Sequence, residues 1–192
     1  MFQELSKKFA HPCGLLILLA VPHIALAGAP VEPVLHTQQR DIKQLERHLH
    51  MLNEAYPCEW EKAYTRDGHN MFDFGNGIQV LEFACTVGMH NLANLYVRVE
   101  KTSKATARLL SLHRPKGQPF TSAKVLFNSF WDLNRIALSS FTVDRGLSDC
   151  GSYEVHRFTA EGYLELIEYR AKHTCDGKFR EPTDYPLIYS AL

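Results

Sequence analysis

The chain has no surplus of either charge: 21 Lys and Arg stand against 21 Asp and Glu over 192 residues. Neutralising phosphates requires a basic excess, so nucleic acid is not an expected partner. No Cys-x-x-Cys pair occurs, which argues against a zinc site built from the cysteines. No His-Glu-x-x-His and no Gly-x-Ser-x-Gly is present, so metal-dependent and serine-type hydrolysis lack their signatures. Gly75-Asn76-Gly77 is not followed by Gly-Lys-Ser/Thr, and no phosphate cradle is read there. No apolar run reaches the roughly 20 residues of a membrane span. These absences together predict a protein with no cofactor and no metal.

The apolar content, 45%, is that of an ordinary globular chain. The longest apolar stretch, Gly14 to Ala27, is broken by Pro22 and His23. Lys7 and Lys8 precede it, and Ala25-Leu26-Ala27 supplies small residues at the positions a signal peptidase reads. Residues 1–27 are therefore expected to be a signal peptide, residues 28–36 a flexible mature N-terminus with prolines at 30 and 33, and residues 37–192 a single domain. Removal of residues 1–27 leaves 19 basic against 20 acidic side chains, so the mature chain stays near neutral.

Of five cysteines, Cys13 leaves with the signal, and Cys58, Cys85, Cys150 and Cys175 remain. An even count in an exported chain predicts two disulfides. Three connectivities are possible. Cys58–Cys85 with Cys150–Cys175 is preferred, because each bond closes a loop of 26 to 28 residues. Chain-entropy arguments assign about 3.5 kcal/mol to such a loop. Cys150 and Cys175 also bracket a hairpin, Tyr153 to Phe158 and Tyr163 to His173. With Phe158 opposite Tyr163, the second cysteine falls short of the first by four residues, so the hairpin must bulge or bend.

Ile42, Leu45, Leu49 and Leu52 recur at helical spacing, which predicts one helix over 37–55, stopped by Pro57. Strand patterns follow. Met71 to Phe74 and Ile78 to Ala84 flank Gly75-Asn76-Gly77 as a hairpin. Leu95, Val97 and Val99 alternate with polar partners, as on a half-buried strand. Val125 to Phe130 and Ile136 to Val143 read as a pair, and Leu187 to Ala191 as a closing strand. Ile78 to Phe83 matches Leu164 to Tyr169 class for class. In both, strict alternation breaks, at Val80-Leu81 and at Leu166-Ile167, which predicts a bulge or a strand covered on both faces. The expected fold is α+β: one N-terminal helix packed on antiparallel sheet made of hairpins, in two repeat-like, disulfide-stapled halves, closing as a sandwich or barrel.

Arg145-Gly146-Leu147-Ser148-Asp149-Cys150-Gly151, then Gly162, then Cys175-Asp176-Gly177 form a distinctive series. Upstream stands Cys85-Thr86-Val87-Gly88-Met89-His90-Asn91. Over roughly residues 70–192 the chain resembles a family of exported bacterial proteins catalogued as domain of unknown function 1176. Met89-His90 replaces the Ala-Tyr usual there, and Tyr153 and Phe158 stand where tryptophans are common. The resemblance implies export and paired cysteines, and it carries over no catalytic residue.

Ten histidines invite a metal or acid–base reading. His48 and His50 would lie on different sides of the predicted helix, whereas His156 and His173 sit on the two arms of one hairpin. Glu82 and Glu168 occupy matching places in the repeat, the one arrangement open to carboxylate chemistry. Arg145 and Asp149 read either as a recognition pair or as a salt bridge fixing the approach to Cys150. Trp131, one of two tryptophans, reads either as an exposed anchor for a partner or as sheet packing. Trp131, Arg145 and Asp149 are the candidate partner-binding residues, and no catalytic residue is assigned. The expected function is a non-enzymatic periplasmic or secreted binding or inhibitor module for an envelope or host protein. The alternatives are an envelope hydrolase of cell-wall sugar or peptide, and a structural envelope component.

Overall fold

The computed structural model describes residues 32–39, 43, 69–87, 90–101, 106–118 and 122–191. In chain order their strands are β1 (Leu35–Gln39), β2 (His69–Asp73), β3 (Ile78–Val87), β4 (Leu92–Glu100), β5 (Thr106–Leu109), β6 (Leu112–His113), β7 (Ser122–Ala123), β8 (Val125–Phe127), β9 (Phe130–Asp132), β10 (Ala137–Val143), β11 (Gly151–Phe158), β12 (Leu164–Lys172) and β13 (Leu187–Ser190). Among the described residues, a 3-10 turn covers Pro182–Asp184. Sheet 1 runs β1-β2-β3-β4-β5, with β8 also paired to β4; sheet 2 runs β13-β12-β11-β10-β9; β6 and β7 form a small ribbon. Every pairing is antiparallel.

The α+β expectation fails, because the described residues build antiparallel sheets. The predicted helix covered 37–55, but its first residues are strand: Thr37 pairs with Met71 and Gln39 with His69 as part of β1. Pairing with β2 outweighs a helical preference worth only tenths of a kcal/mol per residue. Apart from Lys43, the rest of that segment lies outside the described residues. β1 also takes in Leu35 and His36 from the stretch expected to be flexible.

The β2–β3 hairpin forms where Gly75-Asn76-Gly77 placed it. Gly75 and Gly77 take φ of 73° and 82°, and the Asn76 side chain accepts from the Ile78 amide at 3.1 Å. A second glycine turn, at Gly162, joins β11 to β12. The two turns touch: a Cβ on Gly162 would lie 2.7 Å from the Ile78 side chain, and the Asn76 amide donates to the Ala160 carbonyl at 3.2 Å. The two repeat-like hairpins thus meet tip to tip, one in each sheet.

The sheets face each other across Phe72, Phe74, Val80, Tyr96, Leu126, Leu138 and Phe158. Phe158 packs 4.9 Å from Phe72 and edge-on to Phe74 at 5.2 Å. The opposite face of sheet 1 holds a second buried cluster that includes Met71, Leu81, Phe83, Leu95, Val97 and Val99. β3 is therefore covered on both sides, with Val80 in one cluster and Leu81 in the other, and this explains its broken alternation. The matching break in β12 has the other cause. Val155 pairs with Glu168 and His156 with Leu166, so Ile167 is an extra, bulged residue.

Val125 to Phe130 was expected to pair as one unit with β10. Instead the chain changes sheets within it. β8 joins β4 in sheet 1, and β9 joins β10 in sheet 2. Asn128 makes the transfer with φ of 46°: its side chain accepts from the Leu92 amide at 2.9 Å and donates to the Phe141 carbonyl at 3.1 Å.

Candidate functional site

The bulge shortens the distance between the cysteines. Ser152 pairs with Ala171 and Gly151 with Lys172, and Cys150 bonds to Cys175 with their Cα atoms 4.9 Å apart. Of the other predicted pair, Cys58 and the side chain of Cys85 lie outside the described residues.

Around this disulfide the Arg-Gly-x-x-Asp-Cys-Gly run forms a tight knot. Asp149 is buried, and Arg145 grips it with two bonds, Nε to Oδ1 at 2.7 Å and Nη2 to Oδ2 at 2.5 Å. The Gly177 amide adds a third at 2.6 Å. Arg145 also donates to the Cys175 carbonyl at 3.0 Å. Lys172 Nζ reaches the Asp149 carbonyl, the Asp176 carboxylate and the Lys178 carbonyl. The Arg145 guanidinium, followed by the Gly177 amide, holds the Asp149 carboxyl far below the usual range despite its burial. The two motif segments meet here as well. The Asn91 side chain brackets Val143, accepting from its amide and donating to its carbonyl, each at 2.9 Å. A Cβ on Gly146 would stand 3.0 Å from His90 Nε2. Asp149, Cys150 and Cys175 cluster closely, but the sulfurs bond to each other and offer no thiolate to a metal.

The knot sets the course of residues 176–185, which fold back over the outer face of sheet 2. There they wall a groove of about 330 Å³. Phe141, Val143 and Tyr153 come from β10 and β11; Phe130 comes from β9; Phe179 and Tyr185 come from the arm. Phe141 pairs with Tyr153 across the strands, and Phe130 pairs with Ser139, so these side chains share one face. Phe130 and Phe179 are exposed at the lips, while Tyr185 is buried in the wall. Burial first, and then the charges of Asp144, Asp149 and Glu181, push the Tyr185 phenol up.

The candidate residues divide unequally over this face. Trp131 turns inward, pairing with Leu138 and standing 5.3 Å from Phe72, and its exposed neighbour is Phe130. Arg145 and Asp149 stand behind the groove and fix its wall, while Ser148 between them lines it. Phe130, Phe179 and Tyr185 were not singled out from the sequence. Strand alternation beside Trp131 was the available signal for Phe130; nothing local marks the other two.

The matched glutamates do not form one site. Glu82 faces the space between the sheets, accepting from Asn70 at 2.9 Å and from the Tyr96 phenol at 2.5 Å. Burial pushes its carboxyl up, and those hydrogen bonds oppose the shift. Glu168 lies on the outer face of sheet 2, bonded to Arg135 at 2.5 Å and to Arg170. The histidines are separated too. His156 pairs with Leu166, seven residues before His173, and His173 lies on the surface, its Nε2 2.9 Å from the Gln118 side-chain Oε1. His48 and His50 lie outside the described residues.

His156 is fully buried, and neither ring nitrogen has a hydrogen-bond partner. Burial, aided by the Arg114 charge, lowers its pKa to about 3, so the Glu154 carboxylate 3.9 Å away faces a neutral ring. The unfolded chain takes up this proton near pH 6.5 and the native state does not. Stability is therefore expected to fall as pH drops below about 6.5, by about 1.4 kcal/mol per unit, reaching about 2 kcal/mol at pH 5. Urea unfolding at pH 7 and pH 5 checks this, with His156→Leu expected to lose that part of the slope. Equal slopes in both proteins would refute it.

The fold and this site define a class: a two-sheet antiparallel β protein whose Arg-Gly-x-x-Asp-Cys-Gly segment is tied by a disulfide to the arm that walls a groove. The chain belongs to the family described as Protein of unknown function (DUF1176), whose model matches residues 17–191. It is 29% identical over 112 residues to the uncharacterized protein YpfG of Escherichia coli (strain K12), covering 57% of this chain and 31% of that protein. The chain thus spans about a third of the length of the curated relative it matches. No solved structure matches. The disulfide is compatible with a periplasmic or extracellular location, and so is the finding that, among the described residues, no helix is long and apolar enough to cross a membrane.

Proposed function

We propose that the protein is a non-enzymatic binding module, exported after cleavage following Ala27, that uses the outer-face groove to hold an envelope or host protein. The observation that carries this reading is the groove itself. Its aromatic residues, with Phe130 and Phe179 exposed at its mouth, form the kind of patch that anchors a partner's side chain. Its wall is held by a disulfide and a charge-assisted knot, so little ordering is left for the moment of binding. The placement of Glu82 between the sheets and of Glu168 on the outer face supports this reading over a hydrolase that pairs those two carboxylates.

The test is a photo-crosslinking residue at position 179 in living cells, with one at Lys116, exposed on a distant loop, as control. One dominant adduct is expected at 179 and none at 116. The adduct should contain a chain that begins at Gly28 by mass, and it should vanish when Phe130→Ala is added. No adduct, or equal adducts at both positions, would reject the binding module.

A further inference from the structure

The groove also carries information about the chemistry of its occupant. Its lining is aromatic and aliphatic except for Ser148, Thr183 and Glu181, and Glu181 is the one charged residue among those that line it. Glu181 is exposed, and no ion pair involves it among the described residues. Asp144, also exposed, lies in the loop between β10 and the knot. The cations of the knot and of sheet 2 nearest the groove are paired: Arg145 with Asp149, and Arg135 and Arg170 with Glu168. Lys178 and Arg180 belong to the same arm, and neither lines the groove. After burial, the charges of Asp144, Asp149 and Glu181 push the Tyr185 phenol up.

Resting on the binding-module reading, we propose that the partner inserts a basic side chain, an arginine or lysine whose apolar stem lies among Phe130, Phe141 and Phe179 and whose charged head meets Glu181. Aromatic rings attract a cation through their faces while packing against its methylenes. A rim carboxylate adds direct Coulomb attraction and leaves the cation partly hydrated, so its desolvation is small. An acidic partner would meet like charge at Glu181, and a purely apolar anchor would make no use of it.

The test uses the intact mature protein, with nitrogen-15 labelling for two-dimensional NMR. Nα-acetyl-arginine amide and Nα-acetyl-norleucine amide, a neutral anchor of similar length, are the probes. The arginine probe is expected to shift the amides of Phe130, Ser148 and Phe179 and to bind about fivefold tighter than norleucine. Glu181→Gln, a change on the exposed rim, and high salt should each erase that preference while leaving the spectrum folded. Equal binding, preference for norleucine, or an arginine preference unchanged by Glu181→Gln would overturn the cation. If the adduct through position 179 also forms at full yield in Glu181→Gln, the cation fails and the binding module stands. If no adduct forms at all, the module itself fails.

Discussion

Gly151→Ala is expected to prevent the native fold from forming. Gly151 sits at φ of 152°, a conformation side chains avoid, and a Cβ there would lie 2.0 Å from the carbonyl oxygen of Thr142 and 2.9 Å from its carbon. Both are backbone atoms of the paired strand, so no rotamer relieves the clash. β10 and β11 would have to part at the Val143–Gly151 pair, next to the disulfide. The expected cost exceeds about 4 kcal/mol, the range reserved for changes with a severe structural cause. Gly117→Ala is the control: its φ is 86°, but nothing lies within 4 Å of the added atom. Only the conformational term of about 1–2 kcal/mol applies there. Thermal unfolding of the two variants under oxidising conditions decides the matter. A Gly151→Ala protein melting with the Gly117→Ala protein would show that the strands have room that the structure denies.

Removing one member of the buried Arg114–Glu154 pair should come close in size. Arg114 Nε donates to Glu154 Oε1 at 2.8 Å, its Nη2 lies 2.7 Å from the same oxygen, and both side chains are almost wholly buried. Burial raises the Glu154 carboxyl pKa, and the Arg114 bond and charge restrain that rise. Arg114→Met leaves a carboxylate between the sheets with its cation gone, and a loss of about 3–5 kcal/mol is expected. Adding Glu154→Leu should recover most of that loss, because the isolated charge, not the missing attraction, carries the cost. Denaturant unfolding at neutral pH measures both. A double variant as unstable as the single would show that Arg114 acts mainly through packing.

Two segments change meaning between sequence and structure, the run from Arg145 to Gly151 and the strand around Trp131. Within the distinctive Arg145 to Gly151 run, Asp149, Cys150 and Gly151 are buried while Arg145 and Leu147 remain exposed. Arg145, Asp149 and the disulfide lock an arm, and Gly146 and Gly151 are small because His90 and Thr142 press against them. Trp131 drew notice as a rare aromatic, but its register with Leu138 turns it into the core. Phe130, one position earlier, receives the outer face by the two-residue period of the strand.

The sequence by itself determined the local events. Glycines and asparagines placed the hairpin at 75–77, because only such residues take positive φ cheaply. Broken alternation marked β3 and β12 as irregular, and the spacing of Cys150 and Cys175 around a hairpin announced their bond. Tertiary structure decided what depends on partners distant in the chain. It made Thr37 to Gln39 a strand by pairing them with β2, and it split 125–130 between two sheets at Asn128. It gave the two alternation breaks different causes, a bulge in β12 and two-sided burial in β3. It also assembled a groove from β9, β10, β11 and an arm that no local pattern joins. Backbone preference and hydrophobic period act over a few residues, whereas which face a side chain occupies, and what meets it there, is fixed only when strands far apart in sequence choose their register.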